Sequence, residues 1–114
     1  MTAQHQIGIF EAMARPDFYP HNVSTIEQRE THISKVFLTG KYAYKIKKPV
    51  YLEFLDFTTL EKRRHCCQQE VTLNKRLSTD IYLDVVPITQ TNDRYYLAGP
   101  GEAVAYAVKK KPAP

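Results

Sequence analysis

Cysteine is nearly absent from this chain. There are two, Cys66 and Cys67, and they are adjacent. Adjacent cysteines build no disulfide framework, so a reducing cytoplasm is the expected setting. Long apolar runs are missing too. No stretch approaches the roughly 18 residues of a membrane span, and the N-terminus lacks the basic start and apolar core of a signal peptide. Glycine occurs only 4 times and never as G-x-G-x-x-G. Gly40-Lys41 resembles the end of a Walker A loop, but Lys35 stands where the earlier glycine belongs. His65, Cys66 and Cys67 are consecutive, whereas zinc sites favour ligand pairs two to four residues apart, so packing cysteines are expected and no metal site. His5, His21 and His32 have no visible triad partners. There are no internal repeats and no low-complexity segment before the tail Lys109-Lys110-Lys111-Pro112-Ala113-Pro114.

What the chain does contain is ordinary for a folded domain. It has 114 residues, 43% hydrophobic and 25% charged, which fits one domain, 1–114, with its own core. The 16 Lys+Arg against 12 Asp+Glu give a net charge of +4 and a pI near 9.1. That balance suits phosphate-bearing ligands without being diagnostic of nucleic acid. The eight tyrosines beside basic strands could stack single-stranded bases. Their scatter fits sheet packing better, so no nucleic acid is expected.

Thr2 to Ala14 reads as a helix, with Ile7, Phe10, Met13 and Ala14 as one apolar stripe packed on a sheet. Pro16 to His21 ends it with turn chemistry. Val23 to Glu30 and Lys35 to Leu38 read as strands joined by a polar turn, and Thr39-Gly40-Lys41 turns the second into a third. Val50 to Phe57 reads as an ordered, irregular apolar loop. Thr58-Thr59-Leu60-Glu61 reads as a capping box that starts a helix from Thr58 to about Leu77, ended by Ser78-Thr79-Asp80. At about 100° per residue, Leu60, Cys66, Cys67, Val71, Leu73 and Leu77 share an arc that also takes in Arg63 and Glu70. Ile81 to Thr89 is a strand with Pro87 inside it, hence an edge or a bulge. Arg94 to Ala98 and Glu102 to Lys109 complete the set. The fold class expected is α+β: a mostly antiparallel five- to six-stranded sheet, one long helix packed across it, and a short N-terminal helix.

The lysine strand Lys41-Tyr42-Ala43-Tyr44-Lys45-Ile46-Lys47-Lys48 carries the chemistry. Alternation puts Ala43, Lys45 and Lys47 on one face and Tyr42, Tyr44 and Ile46 on the other. A small alanine two residues from a lysine leaves room for a flat ring beside a positive charge. Glu70, within the inward arc of the following helix, needs a partner because burying it alone is costly. Lys45 is one candidate, and a strand lysine held by a helix carboxylate is the device kinases use to position nucleotide phosphates. Arg63 and Arg76 on its own helix are others. Lys45 could equally be a solvated strand lysine.

Five blocks in order resemble the N-terminal part of the bacterial bifunctional aminoglycoside phosphotransferase/ATP-binding proteins. They are Glu30 to Gly40, Tyr42 to Val50, Phe54-Leu55-Asp56-Phe57, Glu70 to Leu77, and Tyr82 to Ile88. The resemblance implies the small N-terminal lobe of a protein-kinase-like fold that binds ATP with Mg²⁺. In it Lys45 would hold the phosphates and Glu70 would hold Lys45. Ala43 would line the adenine, and the His32-Ile33-Ser34 turn would lie over the phosphates, with Ser34 in contact. Residues 110–114 would be a flexible start to the hinge.

The chain departs from that family in what surrounds the lysine. The Thr31-to-Ser34 turn has no glycine. No H-x-D-x-x-x-x-N catalytic loop or downstream metal-binding aspartate follows, and the second lobe and a P-loop domain are expected partners that this stretch lacks. Asp56-Phe57-Thr58 resembles the D-F-G metal motif but precedes the helix, on the wrong side of the fold. No catalytic residue is therefore expected in this chain. Two readings follow. One is the ATP-binding lobe of a small-molecule kinase, catalytically incomplete alone and able to self-associate through the face meant for its second lobe. The other is a small basic module for RNA or a protein partner that keeps the fold without the chemistry.

Overall fold

The computed structural model describes residues 3–52, 55–77 and 81–111. Helix α1 spans Ala3–Met13, and a 3-10 turn covers Pro16–Phe18. Three strands follow: β1 (Glu27–Glu30), β2 (Ser34–Leu38) and β3 (Ala43–Lys47). A small hairpin of β4 (Tyr51–Leu52) and β5 (Leu55–Asp56) leads into α2 (Leu60–Leu77). Then come β6 (Tyr82–Thr91), β7 (Arg94–Leu97) and β8 (Glu102–Lys110). Six strands form one antiparallel sheet in the order β1-β2-β3-β8-β6-β7. The chain is an α+β domain with the long helix on the sheet, as the sequence predicts.

Alternation along the strands sorts the core into two layers. Phe37, Tyr44, Ile46, Ile88, Ala105 and Ala107 point to one face, where they meet Ile9 and Met13 of α1 and Tyr19 of the segment after it. Val108 and, partly buried, Val85 and Tyr106 point to the other, where they meet Cys67 and Val71 of α2. Residues 107 and 108 thus belong to different cores because side chains alternate in a strand. The two helices cover opposite faces of one sheet. Each hides an apolar surface that water would otherwise meet, at about 25 cal/mol per Å².

Several expectations are corrected by packing. The buried stripe of α1 is Ile9, Ala12 and Met13, while Ile7 is 60% exposed and Ala14 is exposed. On α2, Leu73 is 56% exposed, because it lies roughly 120° around the helix from Cys67. The side chain of Leu77 and the stop signal Ser78-Thr79-Asp80 lie outside the described residues. Regular pairing in the first strand begins at Glu27, not Val23, and its four residues are exposed, polar and charged, as suits a sheet edge. The apolar stretch after Pro49 contains two short antiparallel strands, with Tyr51 opposite Asp56, where the sequence predicts an irregular loop.

The turns follow from residue type. Asn92 and Asp93 take φ of 51° and 65°, the left-handed pair that closes a two-residue hairpin between β6 and β7. Gly101 has φ of +110°, and a Cβ there would lie 2.2 Å from the Gln90 carbonyl oxygen. Only glycine fits where β8 begins. Pro87 stands just before β7 starts pairing at Ile88, and a register irregularity follows between Ile88 and Thr89. The Pro87 carbonyl accepts from the Ala98 N–H at 2.8 Å, but Pro87 has no N–H to donate back, so the β6–β7 pairing stops at Ile88 and Leu97. At the far end, Lys110 pairs with both Ala43 and Tyr82, and the Lys111 N–H donates to the Ile81 carbonyl at 2.8 Å. The sheet thus holds the first residues of the expected flexible tail; 112–114 lie outside the described residues.

Candidate functional site

β3 is an interior strand, paired with β2 on one side and β8 on the other. Its odd-numbered residues face α2, so Lys45 and Lys47 both rise toward that helix. Arg63, Cys67, Glu70 and Val71 form the inward stripe of α2 at helix spacing. Glu70 is the carboxylate in that stripe, and it meets the two lysines. Lys47 Nζ donates to Glu70 Oε1 at 2.8 Å, and Lys45 Nζ donates to Oε2 at 3.5 Å. The side chains are 9%, 25% and 15% exposed for Lys47, Lys45 and Glu70. Burial alone raises the Glu70 carboxyl. The Lys47 hydrogen bond and the charges of both lysines outweigh it, so the group lies below its ordinary range and stays ionised.

The sequence brings Lys45 and Glu70 together correctly but misses the shorter contact. Lys47 is the closer partner and the more buried lysine. Its signal was present, since it shares the face of Lys45 in the alternating frame. Neither helix arginine takes the carboxylate. Arg63 is buried, and its Nη1 donates to the Phe57 carbonyl at 2.7 Å. Arg76 is exposed.

Ala43 lies on the same face as the lysines and is fully buried, between Leu38 of β2 and Lys110 of β8. Ser34 begins β2 directly opposite Lys47. It too is buried, and its hydroxyl lies 3.0 Å from the Thr31 hydroxyl. The Thr31 hydroxyl also accepts from the Ser34 N–H at 3.1 Å, and the Lys48 N–H donates to the Ile33 carbonyl at 2.8 Å. The 31–34 turn is thereby tied to the end of β3 without any glycine. Glu30 adds to this by bridging Lys48 at 2.8 Å and Lys35 at 3.4 Å.

Lys110 is a residue the sequence did not place in the site. It stands opposite Ala43 on the α2 face, with its ammonium 5.4 Å from the Tyr82 ring. Burial lowers its pKa, and the neighbouring charges of Lys45 and Lys47 lower it further, against the pull of Glu70. Its position depends on a strand pairing that joins distant parts of the chain, which local pattern does not reveal.

The remaining motifs have structural roles. Asp56 accepts from the Thr58 N–H and hydroxyl and pairs with Lys62, so the D-F-G look-alike fastens the hairpin to α2. Cys67 is buried, and its thiol is pushed up to about 11 by that burial. Among the described residues no cluster of three His, Cys, Asp or Glu side chains is placed to hold a metal. Cavities of about 470, 500 and 270 Å³ lie by Gly8 and Tyr95, by Gln68 and Val85, and by Tyr44 and Pro87. Neither Lys45 nor Glu70 lines them.

Comparison with known proteins gives a partial relationship. No family model matches the chain. It is 44% identical over 64 residues to uncharacterized proteins of Mycobacterium tuberculosis (Rv2004c) and Mycobacterium bovis (Mb2027c). The match covers 56% of this chain and 13% of each relative. No solved structure matches. None of the described helices is long and apolar enough to cross a membrane.

Proposed function

We propose that the chain is the ATP-binding lobe of an aminoglycoside-phosphotransferase-like small-molecule kinase, working in the cytoplasm. The observation that carries this reading is the pair of β3 lysines joined to one α2 carboxylate. Lys110 feels the charges of Lys45 and Lys47 as well as that of Glu70, so among the described residues three lysines meet one carboxylate and the site holds more positive charge than it neutralises. An anion satisfies that excess, and phosphates on a nucleotide are anions of the right kind. Glu70 fixes the ammonium groups on the sheet, so less rotamer freedom is lost when phosphate arrives.

In this reading the lobe binds and orients, while transfer takes place against a second lobe that supplies the base and the acceptor site. Ala43 lies along β3 on the same face but is fully buried between Leu38 and Lys110, so the ring is assigned no contact with it. Mg²⁺ does not fit the described residues of this lobe. Each Glu70 oxygen already accepts from a lysine, so no metal ligand is assigned here.

Titration calorimetry of the chain with ATP and Mg²⁺ tests the reading. Weak but measurable heat of binding is expected, and Lys45→Ala is expected to abolish it while the thermal melt stays cooperative. Binding that is unchanged in Lys45→Ala would remove the site assignment. No binding by either protein would favour the basic binding module instead.

A further inference from the structure

The three lysines around Glu70 are not equivalent. Lys47 is the most buried of the pair bonded to Glu70 and makes the short contact, at 2.8 Å. Its ammonium also lies 5.2 Å from the Phe57 ring. It is enclosed between the helix carboxylate and an aromatic face. Lys45 reaches Glu70 only at 3.5 Å and is 25% exposed. Lys110 has no carboxylate within ion-pair distance among the described residues. On the sheet, Lys45 stands opposite Val108 and Ala43 stands opposite Lys110. Lys45 and Lys110 are therefore diagonal neighbours on one face, a spacing of about 7–8 Å in an antiparallel pair. Ala43, with its single methyl, stands directly opposite Lys110 and next to Lys45 on the same face of β3. Two flexible four-carbon stems at that spacing can close on one small, multiply charged anion.

We propose that Lys45 and Lys110 form a two-point clamp for a diphosphate group, with Lys47 as the positioning residue that holds Glu70. The clamp rests on the nucleotide reading for its ligand class, and it adds a second binding cation from the last strand. Among the described residues, three ammonium groups against one carboxylate leave an excess of two positive charges, which a diphosphate group matches. Lys109, next in the chain, points the other way. Its ammonium lies 4.1 Å from the Tyr42 ring on the α1 side of the sheet, so it serves as an internal control.

The test uses the whole chain, with inorganic pyrophosphate and ATP as separate probes in calorimetry. Lys110→Gln is expected to weaken pyrophosphate about tenfold or more, the loss expected for one charge-assisted contact. Lys110→Arg is expected to keep binding, and Lys109→Gln to leave it unchanged. An NMR titration of the unsubstituted chain reads the same contact without any risk to folding. The side-chain signals of Lys45 and Lys110 are expected to shift with pyrophosphate while that of Lys109 stays still. Unaltered affinity in Lys110→Gln, or a silent Lys110 signal, overturns the clamp. If Lys45→Gln still loses ATP in that case, the nucleotide reading survives. Pyrophosphate binding through both lysines without ATP binding keeps the clamp and removes the nucleotide. If the unsubstituted chain binds neither probe, both fall.

Discussion

At the scale of single residues, stability and ligand binding separate between two lysines of one strand. Lys47 is buried against Glu70 at 2.8 Å, whereas Lys45 is a quarter exposed and 3.5 Å away. Removing one partner of a buried pair leaves the other charge uncompensated, which costs far more than losing a screened contact. Lys47→Ala is therefore expected to lower unfolding free energy by about 2 kcal/mol, and Lys45→Ala by less than about 1. Phosphate affinity is expected to follow the opposite order. Urea denaturation and calorimetry on the same two variants check both halves, and equal losses in either assay would erase the division of labour. The pairing of a β3 lysine with Glu70 was legible in the sequence because alternation and helix spacing are local. Which lysine sits closer was not, because that depends on how α2 lies across the sheet.

At the scale of elements, the start of α2 shows how a cap can be misplaced by one residue. The sequence offers two threonines, and a capping box from Thr58 to Glu61 reads well. In the structure Thr59 is the cap: its hydroxyl accepts from the Lys62 N–H at 3.1 Å, and its carbonyl accepts from the Arg63 N–H at the same distance. Thr58 instead donates its hydroxyl to Asp56 at 2.6 Å, and Glu61 pairs with Arg64. The β4–β5 hairpin makes the difference, since it delivers Asp56 to Thr58. Strands of two residues leave no periodicity in the sequence, so β4 and β5 read as a loop and the cap falls one position early. The β6–β7 hairpin was legible because Asn92-Asp93 carries its turn chemistry openly. Thr59→Ala is expected to cost about 1 kcal/mol, and Thr58→Ala less, since its contact is exposed. Chemical denaturation of the two variants measures the order, and a larger loss at Thr58 would return the cap to that residue.

At the scale of the whole molecule, carboxylates join separate elements of the fold. Glu70 links α2 to β3, and Asp56 links the small hairpin to α2 through Thr58 and Lys62. Glu30 links the edge strand β1 to β2 and to the residue after β3. All three have lowered pKa values. For Glu70, burial opposes the shift but the Lys47 and Lys45 contacts prevail. For Asp56, the Lys62 hydrogen bond leads and Thr58 adds to it, bringing the group to about 2. For Glu30, hydrogen bonds from Lys48 and Lys35 lead. A carboxyl whose folded pKa is depressed binds protons more readily in the unfolded chain. Its contribution is complete above the ordinary values of 4.5 for Glu and 3.8 for Asp and is lost as pH falls through the folded value. The melting temperature is therefore expected to hold level from neutral pH down to near 4.5, and then to fall steadily toward pH 2. Glu70→Gln is expected to lower the melting temperature at neutral pH and to flatten the acid slope, because that variant has one fewer carboxylate to protonate. Circular dichroism melts at half-unit pH steps measure both. A slope that is as steep in Glu70→Gln as in the unsubstituted chain would show that Glu70 does not carry the acid sensitivity, and that the link between α2 and β3 rests on the Cys67–Val71–Val108 packing instead.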